Sequence, residues 1–260
     1  MIDASLNEKD LSEFLAAGTA DAMAAFRRKH LDWMPRGLHD AVPGRRVAAA
    51  VTHRVADNAE LLASARLVLI AALSLRALAD DCTLHDLETE GVTVTEREYW
   101  EAKITFSGLA ERYVSKLHRL AKLHDSTPLG FLDTGVRTEE RQPADSITFM
   151  VWSYDDMPKP KAIADALAGR IGAAHMSGCR VVVEDDFEEH YYADSLLSEL
   201  WHIAVAKSRG DSYIIRCAHC GTPVICDKKP RKQPRKYCSD YCKMKHNRAL
   251  RKAKAAAGNS

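Results

Sequence analysis

Four cysteines near the carboxyl end have the spacing of a metal site. Two residues separate Cys217 from Cys220, three separate Cys238 from Cys242, and seventeen lie between the pairs, enough for a hairpin. Each short spacing lets one loop direct two thiolate sulfurs at the same ion. The pattern therefore predicts one zinc ion bound by Cys217, Cys220, Cys238 and Cys242, in a closed structural site that leaves no coordination position for water.

Three neighbouring side chains are alternative ligands. Cys226, His219 or His246 can replace one of the four cysteines, although each is off the paired spacing. The chain has seven cysteines, an odd number that fits a reducing compartment better than a disulfide framework, and we expect a cytoplasmic protein.

Basic residues concentrate around the cysteines. From Arg216 to Ser260 there are 13 Lys and Arg against 2 Asp and Glu, a net charge of +11, whereas Met1 to Ile215 has 24 against 34, a net of −10. Clustered cations neutralise several phosphates and release counterions, so a polyanion is the natural partner of the C-terminal segment. The candidate nucleic-acid-binding residues are Lys228, Lys229, Arg231, Lys232, Arg235, Lys236, Lys243, Lys245, Arg248, Arg251 and Lys252.

Local sequence signals indicate how the cysteines are positioned. Gly221 gives the first pair a permissive backbone for a tight knuckle, and Thr222–Cys226 is typical of a hairpin strand. Ser239 is placed to cap a helix that begins at Asp240, so that Cys242 lies in the first turn and Cys238 just before it. A knuckle, a hairpin and a basic helix are therefore predicted.

These residues resemble the C-terminal zinc finger of the bacterial CGNR-type transcription regulators and related phage or mobile-element proteins. The matching positions are Arg216-Cys217-x2-Cys220, Arg235-Lys-Tyr-Cys238-Ser239, Cys242 and the basic residues that follow. Lys243-Met-Lys stands where that family has Gly-Asn-Arg, and the first 215 residues lack its N-terminal signature. The resemblance covers about the last fifth of the chain, and it implies DNA rather than RNA as the partner.

The preceding segment is predicted to be mainly helical, with a small β element. Ala59–Ala79 is apolar almost all round, which indicates the central helix of the core. Thr95 and Glu98 have the spacing of a capping box, which predicts a helix to about His124. The other predicted helices are Asn7–Ala17, Thr19–Met34, 160–175 and 194–207, and the predicted strands are 146–153 and 179–184, separated by a helix as in a strand–helix–strand unit.

Two regions follow from these signals. We call residues 1–212 the body, which is acidic and mainly helical and has a possible sub-boundary near 129–143, and residues 213–254 the C-terminal module. Residues 255–260 are expected to fray. The most apolar run, Leu67–Leu75, has nine residues, well short of the about 20 that span a bilayer, so no membrane partner is expected.

The sequence favours a non-enzymatic function. Nucleases with paired cysteines and a His-Asn pair need a histidine in the hairpin, and 221–237 contains none. A magnesium site in the body is the catalytic alternative, and its candidates are Asp155, Asp156, Asp185, Asp186, Glu188, Glu189 and His190. Acidic runs of this kind are usually solvated turns.

A nucleic-acid-binding protein, and specifically a bacterial or phage DNA-binding regulator, is the first hypothesis. The second hypothesis is a non-catalytic subunit of a larger nucleoprotein or protein assembly. In that case the acidic body docks on protein partners, while the module braces the complex or contacts its nucleic acid.

Overall fold

The computed structural model describes residues 6–30, 59–122, 133–135, 144–154, 156–176, 179–183, 189–193, 195–209, 212–226 and 235–257. The helices are α1 (Glu8–Ala16), α2 (Ala20–Lys29), α3 (Ala59–Arg76), α4 (Leu84–Thr89), α5 (Glu111–Lys122), α6 (Pro160–Met176), α7 (Leu196–Arg209) and α8 (Asp240–Ala257). The strands are β1 (Val92–Glu96), β2 (Trp100–Phe106), β3 (Asp133–Gly135), β4 (Ile147–Ser153), β5 (Cys179–Val183), β6 (Glu189–Ala193), β7 (Tyr213–Arg216) and β8 (Pro223–Cys226). The fold is mainly helical with a small antiparallel sheet, as predicted.

Helices α1 and α2 begin at well-formed caps. The side chain of Asn7 accepts from the backbone N–H of Lys9 and of Asp10, and the Asp10 carboxylate accepts from the Asn7 N–H at 3.0 Å. Thr19 caps α2 with a single bond, which its side chain accepts from the N–H of Ala22. These caps satisfy backbone donors that no helical carbonyl can reach. The predicted helices at Asn7 and Thr19 are confirmed, and the part of the second beyond His30 lies outside the described residues.

Helix α3 is the central helix of the core, as its apolar sequence predicts. It packs against α2, α5, α6 and α7, and its buried residues lie on nearly every side of the helix. Leu62, Val68 and Leu69 are completely buried. Because neighbours cover it nearly all round, an almost uniformly apolar helix is stable here.

The capping box predicted at Thr95 is wrong. Residues 92–106 form the antiparallel hairpin β1–β2, with Val92 opposite Ile104, and α5 begins only at Glu111. Gly91, at φ 78°, leads into β1, where β-branched residues favour extended backbone. Only the second half of that predicted helix is confirmed.

The main sheet has the strand order β1-β2-β4-β3, and all of its pairs are antiparallel. Strand β4 is buried on both faces, and α6 packs against it. The predicted strands at 146–153 and 179–184 are both present, but they do not form one strand–helix–strand unit. Strand β5 pairs instead with β6, which the sequence did not predict, in a separate two-stranded sheet.

A buried polar cluster joins three helices of the body. The ring of His175 on α6 stacks on Trp201 of α7 at a centroid distance of 4.0 Å. Its Nδ1–H donates to the Ile171 carbonyl at 2.6 Å, and its Nε2 accepts from the Tyr113 hydroxyl at 2.5 Å. Burial lowers the pKa of His175 to about 3, so the ring is neutral in the folded chain.

Candidate metal centre

The first cysteine pair lies in the turn of a short hairpin. Strands β7 and β8 pair antiparallel, with Arg216 opposite Pro223, and the predicted hairpin strand is confirmed. The turn is closed by two hydrogen bonds, from the Gly221 N–H to the Cys217 carbonyl at 2.9 Å and from the Cys217 N–H to the Thr222 carbonyl at 3.0 Å. Gly221 has φ 72°, a left-handed conformation that favours glycine over residues with a side chain.

The second pair lies at the start of α8. The Ser239 hydroxyl accepts from the Cys242 N–H at 3.3 Å, so the predicted cap is present. Cys242 lies in the first helical turn, and Cys238 lies just before the helix. The Arg235 guanidinium donates to the carbonyls of Tyr237 at 2.9 Å and Cys238 at 2.8 Å, which fixes the approach to the helix.

The two pairs meet in one cluster. The sulfurs of Cys217, Cys220, Cys238 and Cys242 all lie within 4.8 Å of one another. Cys238 Sγ is 3.6 Å from Cys220 Sγ and 3.3 Å from Cys242 Sγ. Four sulfurs at about 2.3 Å from a tetrahedral ion would be separated by about 3.8 Å. The four cysteines therefore fit a single metal ion.

The alternative ligands lie outside this group of four. Cys226 is buried at the end of β8, where its Sγ is 4.0 Å from the Val224 carbonyl. The His246 ring lies against Tyr237, with 5.4 Å between the centroids. His219 is exposed in the hairpin turn.

The close packing of the cysteines moves the pKa values of Cys217 and Cys238 in opposite directions. Burial raises the pKa of Cys217, but the backbone N–H groups of Cys220, Cys238 and His219 together lower it more, to about 6. Burial and the neighbouring thiols, Cys242 first, raise the pKa of Cys238 to about 12. Four thiolates this close repel one another, and a bound cation removes that repulsion.

The predicted nucleic-acid-binding residues separate into three groups. Lys228, Lys229, Arg231 and Lys232 lie outside the described residues. Arg235 is engaged with backbone carbonyls, as described above. Arg235 is itself exposed, and the other exposed residues are Lys236, which precedes the second cysteine pair, and five residues of α8: Lys243, Lys245, Arg248, Arg251 and Lys252.

Helix α8 presents its cations away from the cluster. The face that carries Cys242 also carries His246, Ala249 and Ala253 and has no Lys or Arg, so the basic residues lie on the remaining faces. Residues 247–255 are all exposed. Lys245 Nζ lies 5.3 Å from the centroid of the Tyr241 ring, a cation–π contact within this basic surface.

The module is docked on the body through apolar and charged contacts. Ile214 and Ile225, one from each strand of the hairpin, pack against the core of the body. Arg216 forms an ion pair with Glu90, which lies just after α4. Beside these contacts, a groove of about 670 Å³ runs between α1 and the cysteine cluster.

A second cluster of potential ligands was missed from the sequence. Asp10, Glu13 and His30 come within metal-binding distance of one another, but Lys29 already lies among them, with Nζ 2.9 Å from Asp10 and 2.6 Å from Glu13. An ammonium group therefore occupies the place of a metal ion. Asp10 and Glu13 lie one turn apart on α1, but Lys29 and His30 are at the end of α2, so no short-range spacing indicates the whole cluster.

The catalytic candidates are only partly described. Asp155, Asp185, Asp186 and Glu188 lie outside the described residues; Asp156 is exposed, and Glu189 and His190 lie in β6. Within the ranges that the structure covers, no helix is long and apolar enough to cross a membrane.

The chain matches no protein-family model, no curated protein and no solved structure. The resemblance to the CGNR-type finger therefore rests on the residues of the module alone.

Proposed function

We propose that the chain binds nucleic acid, DNA in preference to RNA, through a zinc-braced basic helix, as a bacterial or phage regulator. The observation that carries the proposal is the geometry at the start of α8. The four-sulfur cluster holds the first turn of a helix whose exposed faces carry Lys243, Lys245, Arg248, Arg251 and Lys252.

Zinc is the proposed metal because four clustered thiolates are its preferred structural donor set. The ligands would be Cys217, Cys220, Cys238 and Cys242, and bound zinc would fix the hairpin to the helix. No position remains open for a reacting water, so the metal has a structural role. Zinc binding contributes on the order of 10 kcal/mol to the folding of such small modules.

Phosphates are the proposed contacts of the basic helix. Helix α8 has 18 residues and is therefore about 27 Å long, enough to follow several phosphates along a groove. Lysines contribute point charges that position a protein without reading sequence. Arg248 and Arg251, with Asn247 beside them, are the side chains that can reach base edges, so we expect affinity to exceed specificity.

A salt titration tests this proposal. Binding of the zinc-loaded full chain to random-sequence duplex DNA and RNA is measured against NaCl concentration, for the wild type and for the double variant Arg248→Ala/Arg251→Ala. If both arginines contact phosphate, the slope of log affinity against log salt should fall by about 1.8 for DNA. Arg112→Ala, which removes an exposed arginine from the body, is the matched control and should leave the slope unchanged.

The same titration can contradict the proposal. If the zinc-loaded chain does not bind either polymer at low salt, it is not a nucleic-acid-binding protein, and the assembly-subunit hypothesis gains. An unchanged slope in the double variant would show that neither Arg248 nor Arg251 contacts phosphate, and only the lysines of α8 would remain as its phosphate contacts. Tighter binding to RNA than to DNA would reverse the proposed preference.

A further inference from the structure

Arg66, on the central helix α3, is a half-buried cation that has no carboxylate partner among the residues the structure describes. Its Nε donates to the Leu15 carbonyl at 2.8 Å, and none of the ion pairs in the described part of the chain includes it. Burial lowers the pKa of this guanidinium, because removal from water disfavours the charged form. A cation in such a place needs compensating negative charge.

The cysteine cluster is the candidate source of that charge. Arg66 and Cys220 line the same groove between α1 and the module, together with Cys238 and Cys242. The charge of Cys220 acts on Arg66 in the stabilising direction, opposing the effect of burial. Four thiolates around one divalent ion leave a double negative charge, so the attraction persists in the metal-loaded centre.

The body holds the guanidinium in this position. Leu15 lies in the last turn of α1, and that turn contains no basic residue. Arg66 therefore supplies a cation to the carbonyl end of the helix. Gly18 lies beside it: a Cβ there would be 3.3 Å from Arg66 Nη2, a tight contact that glycine avoids. The arginine is therefore a fixed feature of the body that faces the module.

We infer that Arg66 is the counter-cation of the metal centre and couples metal loading to the docking of the module on the body. If the contact with Arg66 strengthens metal binding when the module is docked on the body, then metal binding must also strengthen docking. The two effects are equal because thermodynamic linkage is reciprocal. The contacts of Ile214 and Ile225 and the ion pair of Arg216 with Glu90 then form around a module that the metal has already ordered. The inference depends on the proposed metal but not on the proposed nucleic acid.

Zinc affinity is the direct test. Competition with a chelator at low salt measures it for the full-length wild type, Arg66→Met, Arg66→Lys and the control Arg112→Met. Outer-shell partners of a metal typically change its affinity by 10- to 100-fold, and we expect a loss of about 10-fold for Arg66→Met. Arg66→Lys should recover most of the loss, and added salt should narrow the difference because the interaction is electrostatic.

Hydrogen exchange provides a second measurement that needs no variant. Adding zinc to the metal-free wild type should slow amide exchange in the body, at the end of α1 and around Arg66, as well as in the module. Protection confined to 213–257 would overturn the inference, as would equal zinc affinities for Arg66→Met and Arg112→Met. A wild type that binds no zinc would contradict the proposed metal itself, which is a distinguishable result.

Discussion

The body and the C-terminal module are stabilised by different physical means. The body has a continuous apolar core, with Leu62, Leu69 and Phe149 completely buried. In the described part of the module the buried residues are few, and three of the five are cysteines: Cys217, Pro223, Val224, Cys226 and Cys242. So little apolar burial does not stabilise a domain of this size alone. This difference predicts that the body folds without metal, whereas the module needs a bound ion to fold.

Removing one cysteine ligand should have the largest effect on this difference. Cys238→Ser should abolish stoichiometric zinc binding, because its sulfur contacts those of both Cys220 and Cys242. The module should then lose a stabilisation on the order of 10 kcal/mol and unfold, while the body keeps its helices. Zinc analysis and hydrogen exchange resolved by segment measure the two regions separately.

Cys82→Ser is the matched control for this experiment. Cys82 is a partly buried cysteine of the body that lies outside the cluster, so zinc content and exchange in the module should not change. If Cys238→Ser instead unfolds the body together with the module, the two regions are one cooperative unit and the comparison fails.

The parts of the module that the sequence predicted all depend on short-range signals. The spacing of the cysteines, the cap at Ser239 and the positive φ of Gly221 are set within a few residues, and the structure contains all three. The features that the sequence signals predicted wrongly are set by tertiary contacts. Thr95 and Glu98 match a helix cap locally, yet antiparallel pairing of β1 with β2 and then of β2 with β4 makes this segment a hairpin.

Long-range pairing was also beyond the sequence signals. Strands β4 and β5 each have a clear apolar pattern, but such a pattern does not identify the partner strand, and β5 pairs with β6. The position of Arg66 beside the cysteine cluster likewise depends on the packing of α1, α3 and the module. No spacing in the chain connects residue 66 with residue 220.

Acid should lower the unfolding free energy of the body through His175, by less than the loss of a cysteine ligand costs the module. The pKa of His175 is about 3 in the folded chain and ordinarily 6.5, so between these values the unfolded chain binds a proton that the folded chain excludes. Stability from this group is therefore present above pH 6.5 and is lost as the pH falls toward 3, by about 1.4 kcal/mol per pH unit. Denaturant unfolding of the metal-free chain at several pH values measures the slope.

Two variants separate His175 from other groups that titrate in acid. His175→Gln should show a shallower decline between pH 6.5 and 4.5, in addition to a constant loss from the broken contact with Tyr113. His85→Gln removes an exposed histidine on α4 and should keep the wild-type slope. Equal slopes for the wild type and His175→Gln would show that the buried ring does not resist protonation.

The smallest expected effects come from two matched helix caps, one in each region. Asn7 caps α1 in the body and Ser239 caps α8 in the module, and replacing such a cap by Ala typically costs about 1 kcal/mol. For Asn7→Ala the loss should appear in the unfolding free energy of the body, with zinc affinity unchanged. For Ser239→Ala the loss should appear as a roughly 5-fold lower zinc affinity. The cap and the metal order the same first turn of α8, so without the cap zinc binding must also order that turn. Chelator competition measures the zinc affinity of both variants, and denaturant unfolding measures the unfolding free energy of the body in both. If Asn7→Ala weakened zinc binding as much as Ser239→Ala does, the stability of the body would contribute directly to the metal centre.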